Sequence, residues 1–195
     1  SNRPVLAMVS SRTYGLDLDK NETMLPQPHS LVGNGAGSVF KVFTAAAALE
    51  SGYGIKNQLD VPTHYEAEGL GSGGAAGCPP NRYCVENAGN YAATMTMQDA
   101  LAFAPNTTFI KLIEQVGVEH VVDMSVKLGL RSYGEKGSYD KDTSIAQHIK
   151  ESNLGSYTLG PTAVDPLELA NVGATLASEG MWCEPNPISK ITDKD

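Results

Sequence analysis

Gly35-Ala36-Gly37-Ser38-Val39-Phe40-Lys41-Val42-Phe43-Thr44-Ala45-Ala46-Ala47-Ala48-Leu49 decides how this chain is read. The glycines open the stretch, and an alanine-rich, almost wholly apolar run follows. Such a run predicts a helix buried on every side, from Ser38 to about Ser51, with Gly52 as its stop. Ser38 then sits in the first turn, where free backbone N–H groups and the positive dipole end favour a developing anion. Lys41 lies three residues on, one turn away and on the same face.

A lysine in that apolar wall is hard to explain as packing, because desolvation disfavours its charged form and lowers its pKa. A neutral amine beside a serine hydroxyl is the base a serine needs to attack a carbonyl. The bare Ser-x-x-Lys spacing is weak evidence, since about one copy is expected by chance in a chain of this composition. Two are present. The second, Ser138-Tyr139-Asp140-Lys141, has no apolar helix behind it and reads as a solvated loop. The alternative for the first is a helix cap with a snorkelling lysine, and its glycine-rich entry and apolar exit favour the nucleophile.

The 195 residues suffice for one domain with a real core, and 41% hydrophobic with 18% charged residues suits a folded protein. A net charge of −8 argues against a nucleic-acid or anionic-membrane surface. No apolar run approaches the length of a membrane span. Cys78-Pro79-Pro80-Asn81-Arg82-Tyr83-Cys84 has the wrong spacing for a zinc knuckle or a thioredoxin-type pair. A short-loop disulfide is expected instead, contributing about 2 kcal/mol on the chain-entropy account, and an oxidising, extracytoplasmic setting with it. Cys183 is left over, either as a buried thiol or as the partner of a cysteine beyond residue 195. His29, His64, His120 and His148 have no metal-ligand spacing, and neither a metal nor a cofactor is expected.

Along the chain, Pro4–Val9 reads as a strand and Ser10–Leu31 as a loop-rich connection. Gly54–Ala93 reads as a long irregular insertion stapled by the two cysteines. A helix starts at Thr96, capped with Asp99, and breaks at Ala104-Pro105-Asn106. Helices follow over Thr107–Val116 and Val118–Leu128. A last helix has Asp165 as N-cap, Pro166 as first residue and Glu168 as capping-box acid. Leu167, Ala170, Ala174 and Ala177 form its expected packing face, Gly180 ends it, and Ile188–Thr192 reads as extended. Tyr157 and Thr158 are candidates for lining a substrate cleft.

Three stretches resemble one family. Gly37-Ser38-Val39-Phe40-Lys41 is similar to the first motif of penicillin-binding transpeptidase domains, the Ser-x-x-Lys of that superfamily. Ala104-Pro105-Asn106-Thr107-Thr108-Phe109 resembles the second, Ser-x-Asn followed by Thr-x-Phe. Leu159-Gly160-Pro161 through Gly180 looks like the helix that precedes the third. The likeness is greatest to class A bifunctional members, actinobacterial ones in particular.

The resemblance implies an α+β, β-lactamase/transpeptidase-like fold, with helices packed on an antiparallel sheet and the nucleophile at the N-terminus of a central buried helix. It implies a D,D-transpeptidase that cross-links peptidoglycan stem peptides ending in D-Ala-D-Ala and is acylated by β-lactams. Ser38 would attack, Lys41 would take its proton, Asn106 would hold the substrate amide and fix Lys41, and the Ser38 N–H would form part of the oxyanion hole. An upstream glycosyltransferase domain, cell-wall synthesis partners and a place at the outer face of the bacterial membrane, anchored by a segment outside this chain, are implied too.

Two departures matter. Ala104 stands where the family has serine, and no Lys-Thr-Gly occurs in the 195 residues. On this resemblance residues 1–195 are a partial transpeptidase domain that ends just before the third-motif strand, and alone they are expected to be inactive. A non-catalytic penicillin-binding sensor or scaffold is the alternative reading. A β-lactamase is disfavoured because no deacylating glutamate is well placed.

Overall fold

The alanine-rich run packs between two sets of apolar side chains. In the computed structural model, which describes residues 3–193, it forms helix α1 (Lys41–Glu50). Phe40, Phe43 and Ala47 face the larger core cluster, and Ala45 and Ala48 face a second. Burial is not complete all round: Leu49 is 42% exposed.

Five further helices surround it: α2 (Met97–Phe103), α3 (Asn106–Val116), α4 (Val118–Leu128), α5 (Ile145–Glu151) and α6 (Pro166–Ala177). The larger cluster joins α1, α3, α4 and α5 through Ile110, Ile113, Val121, Val122 and Ile149. The second joins α1, α2 and α3 through Met97, Ala100, Phe109 and Leu112. Buried aliphatic and aromatic groups of this kind contribute roughly 1.5–3 kcal/mol each, so α1 is held on two flanks.

Strands among the described residues are short: β1 (Arg3–Pro4), β2 (Gln58–Asp60), β3 (His64–Glu68), β4 (Gly73–Gly74), β5 (Arg82–Glu86), β6 (Thr94–Thr96) and β7 (Pro185–Asn186). They make three small sheets: β1 with β7, β2 with β6, and β3-β5-β4 with β5 central. β3 and β5 run antiparallel, pairing His64 with Glu86 and Glu68 with Arg82. The architecture is α+β and helix-dominated.

Several expectations are corrected. The Pro4–Val9 strand shrinks to Arg3–Pro4 and pairs parallel with Pro185–Asn186. Leu6 and Val9 beyond it are 92% and 85% exposed, because no described strand covers them. Ile188–Thr192 forms no strand. The glycine-rich insertion is not irregular, for it carries the three-stranded sheet. Cys78 and Cys84 are bonded there, with Cα atoms 5.6 Å apart, while Cys183 is half-buried and stands outside that bond.

Helix α5 has no counterpart in the sequence reading. The buried face of α6 is Asn171, Val172 and Thr175 rather than the alanine stripe, with Ala170 and Ala177 turned to solvent. Asp165 is its N-cap, accepting from the Leu167 and Glu168 N–H groups at 2.9 and 3.2 Å. Glu168 does not close a capping box. Its carboxylate accepts from the Ser132 N–H at 2.9 Å and the Ser132 hydroxyl at 2.7 Å.

Candidate active site

A short 3-10 turn, Gly37–Phe40, carries the chain into α1. Its winding matters, because side chains three apart eclipse one another in a 3-10 turn. Ser38 and Lys41 are therefore aligned, and Phe40 between them is driven into the core. The Phe40 ring meets Phe43 and Tyr157 edge-on, with centroids 5.2 and 5.4 Å away. Ser38 is left exposed while Lys41 has no exposed surface. Relative to the sequence expectation, the serine precedes the α-helix proper by one 3-10 turn.

The turn is also held from below. Gly37 N–H donates to the Gly160 carbonyl at 3.1 Å. Gly160 has φ +63°, and a Cβ there would lie 2.3 Å from the Gly37 carbonyl oxygen. Both the backbone conformation and the space demand glycine.

The Lys41 amine has three partners: Ser38 Oγ at 3.0 Å, Asn106 Oδ1 at 2.7 Å and the Ala104 carbonyl at 2.5 Å. The Phe109 ring centroid lies 5.6 Å away. Burial lowers the amine's pKa from 10.5 to about 8. Two carbonyl acceptors pull the other way by favouring the ammonium, and burial outweighs them.

Asn106 and Ala104 reach the amine because the chain reverses between α2 and α3. Ala104 adopts the left-handed conformation, φ 54°, as the C-cap of α2, and Pro105 opens α3. The reversal turns the Ala104 carbonyl inward and starts α3 at Asn106. The Asn106 amide is fixed at its other end, where Nδ2 donates to the Glu86 carbonyl at 3.1 Å.

The structure thus brings Ser38, Lys41 and Asn106 together. Tyr157 and Thr158 are a correction. They are 1% and 0% exposed, so neither offers a surface to a ligand. Tyr157 Oη pairs with Ser125 Oγ at 2.6 Å, and Thr158 Oγ1 pairs with Thr44 Oγ1 at 2.7 Å. Both hydroxyls are satisfied inside the core that supports α1. The Ala104 and Glu86 carbonyls went unnoticed in the sequence because backbone acceptors carry no residue signature.

Elsewhere, His64, Glu66 and Cys84 bring ligand-type atoms within 4.8 Å of one another. The Cys84 sulfur is committed to the disulfide, which leaves two donors and no closed metal site. A cavity of about 680 Å³ between α4 and α5 is lined by Glu119, Asp123 and Glu151 with Lys127, Arg131 and Lys150. Ser38, Lys41 and Asn106 are not among the residues that line it. No helix among the described residues is long and apolar enough to cross a membrane.

Residues 1–195 match the family model of the penicillin-binding protein transpeptidase domain. A peptidoglycan D,D-transpeptidase, PbpA, of Mycolicibacterium smegmatis is 27% identical across the whole chain, which spans 42% of that protein. Penicillin-binding protein 1A of Mycobacterium tuberculosis is 25% identical over 80% of the chain and 17% of its own length. The chain thus spans less than half the length of these relatives. Among solved structures, the imipenem acyl-enzyme complex of penicillin-binding protein A from M. tuberculosis is 25% identical, with TM-score 0.60, over 80% of this chain and 35% of that one. M. tuberculosis PonA1, at 22% identity and TM-score 0.60 over 83% of this chain and 38% of its own, shares the fold. The family match runs over the whole chain, and the chain belongs to the penicillin-binding protein transpeptidase family.

Proposed function

We propose that this chain supplies the serine nucleophile and lysine base of a peptidoglycan D,D-transpeptidase. The observation that carries the reading is the Lys41 amine, buried and 3.0 Å from an exposed serine hydroxyl. A neutral amine has two N–H bonds and one lone pair. Asn106 Oδ1 and the Ala104 carbonyl accept the two N–H bonds, so the lone pair is directed at the Ser38 hydroxyl.

In acylation, Ser38 Oγ bonds to the carbonyl carbon of the penultimate D-Ala, and its proton passes to the Lys41 amine. The amide C–N bond then breaks, the terminal D-Ala leaves, and the Lys41 ammonium returns the proton to the departing amine. An acceptor amine attacks the Ser38 ester and gives a proton to the Lys41 amine, the ester C–O bond breaks, and Lys41 returns that proton to Ser38 Oγ. The exposed face of the turn is where a stem peptide would approach. A β-lactam would acylate the same oxygen; the M. tuberculosis relative is known as an imipenem acyl-enzyme complex. The disulfide fits the outer face of a bacterial membrane, where a glycosyltransferase domain and other cell-wall proteins would be neighbours.

Ala104 favours a second reading, a sensor that acylates without turning over, because an alanine at that position supplies no second hydroxyl to relay a proton to the leaving group. Fluorescent penicillin offered to protein extended through a Lys-Thr-Gly strand tests both. The label is expected on the Ser38 peptide and is lost in Ser38→Ala; labelling at Ser138 refutes the assignment. Exchange of a D-Ala-D-Ala peptide separates transpeptidase from sensor.

A further inference from the structure

Helix α3 presents Asn106, yet it cannot cap itself. Its N-cap position is Pro105, whose side chain holds no acceptor, and the first-turn N–H groups need partners from outside the helix. Asn87 supplies one. The Thr107 N–H donates to Asn87 Oδ1 at 3.1 Å, and Thr107 Oγ1 lies 3.3 Å from the same oxygen.

The rest of the Asn87 amide is fixed as well. Asn87 Nδ2 donates to the Pro62 carbonyl and to Thr107 Oγ1, both at 3.0 Å. The Thr107 hydroxyl donates to the Pro62 carbonyl at 2.6 Å. Thr107 is fully buried and Asn87 and Pro62 are half-buried, so the hydroxyl at the centre of the network is shielded from water and its orientation is defined. One residue earlier, the Glu86 carbonyl accepts from Asn106 Nδ2. The last residue of β5 and the residue after it therefore grip the first two residues of α3. Glu86 holds the Asn106 side chain, and Asn87 holds the helix turn beneath it.

We propose that Asn87 is a positioning residue for acyl transfer. It caps α3 from 20 residues away in sequence and so fixes Asn106 Oδ1 against the Lys41 amine. It touches no reacting atom. Its effect runs through the Asn106 acceptor, which decides where the lysine lone pair points. Small displacements of a base lower rates steeply, since a shift of about 1 Å can cost a hundredfold. The inference rests on reading Ser38 and Lys41 as nucleophile and base.

The test uses the chain itself and p-nitrophenyl acetate, an activated ester with no carboxylate to anchor. Burst amplitude counts competent sites, and the burst rate constant reports acylation per site. Asn87→Ala is expected to slow that constant by about tenfold to a hundredfold, whereas a merely structural role would lower the amplitude alone. Asn87→Asp keeps an acceptor for the Thr107 N–H and is expected to recover most of the rate. In Asn106→Ala the further change Asn87→Ala is expected to add nothing, the signature of two residues acting through one contact. Independently of activity, hydrogen exchange at the Thr107 amide should quicken at least about tenfold in Asn87→Ala, with Ile110 and Leu112 unchanged.

An unchanged rate constant, an Asn87→Ala effect that persists in full on the Asn106→Ala background, or unchanged Thr107 exchange overturns the inference. A wild-type burst in Ser38→Ala would instead overturn the nucleophile reading, and the exchange measurement would still decide the cap.

Discussion

Acylation at Ser38 should follow the titration of Lys41. With the amine pKa lowered from 10.5 to about 8 by burial, about one-tenth of the molecules hold a neutral base at pH 7; an ordinary lysine would offer about 0.03%. Burial thus enriches the competent form roughly 300-fold. The acylation rate constant should rise about tenfold per pH unit below 8 and level off above it, in stopped-flow measurements from pH 6 to 10. Stability moves with the same group. The unfolded chain binds more protons than the folded one between pH 8 and 10.5, so stability rises with pH across that window. At neutral pH the buried lysine costs on the order of 3 kcal/mol. Lys41→Met relieves that cost but leaves the Ala104 carbonyl and Asn106 Oδ1 without a donor, at about 1–3 kcal/mol each. Net stability should therefore fall between a gain of about 1 and a loss of about 3 kcal/mol, flatten against pH between 8 and 10.5, and be accompanied by loss of acylation. A rate independent of pH from 6 to 9, or one whose midpoint lies near 10.5, would refute the argument.

Other consequences are as direct. Replacing Cys78 and Cys84 by alanine should lower the urea midpoint by the equivalent of about 2 kcal/mol, read against the oxidised protein by circular dichroism. Gly160→Ala places a Cβ against the Gly37 carbonyl at a left-handed φ; it should cost more than about 1 kcal/mol in thermal melts and slow Ser38 acylation, and wild-type behaviour would show the contact to be unimportant. Tyr157→Phe removes a hydroxyl whose partner, Ser125, still donates to the Val122 carbonyl. It should cost about 1 kcal/mol and leave acylation per site unchanged, whereas a raised substrate KM with normal stability would return Tyr157 to the cleft.

What the sequence made legible was local. Ser38 and Lys41 are one turn apart, and their apolar flanks announce both the helix and the desolvated amine. Asn106 was reached by resemblance, because nothing within ten residues says that it meets Lys41. Misreadings came where a polar group had a local and a distant partner to choose from. Glu168 sits where a capping box would use it, yet it is held by Ser132, and burial raises its pKa while those two bonds oppose the rise. Tyr157 and Thr158 carry hydroxyls beside a glycine turn, which suits a cleft, but partners on α4 and α1 draw them inward. Helix α5 escaped notice because only Ile145, Ala146 and Ile149 are buried in a seven-residue span, too few to show a period.

The glycine-rich insertion shows why long-range pairing hides function as well as structure. Its glycines suggest an unstructured loop, and the pairing of His64–Glu68 with Arg82–Glu86 is a non-local match that no short window contains. Cys84 lies in β5, two residues before the carbonyl that holds Asn106 and three before the amide that caps α3. Pro105 is the one local sign of this dependence, since a helix opened by proline, with no side-chain acceptor, must borrow its cap. A strand stapled by a disulfide is a rigid place from which to borrow it. The stability of the insertion and the orientation of the lysine base are therefore joined through the hydrogen bonds that Glu86 and Asn87 make to α3, so damage to the sheet should reach Ser38 through Asn106.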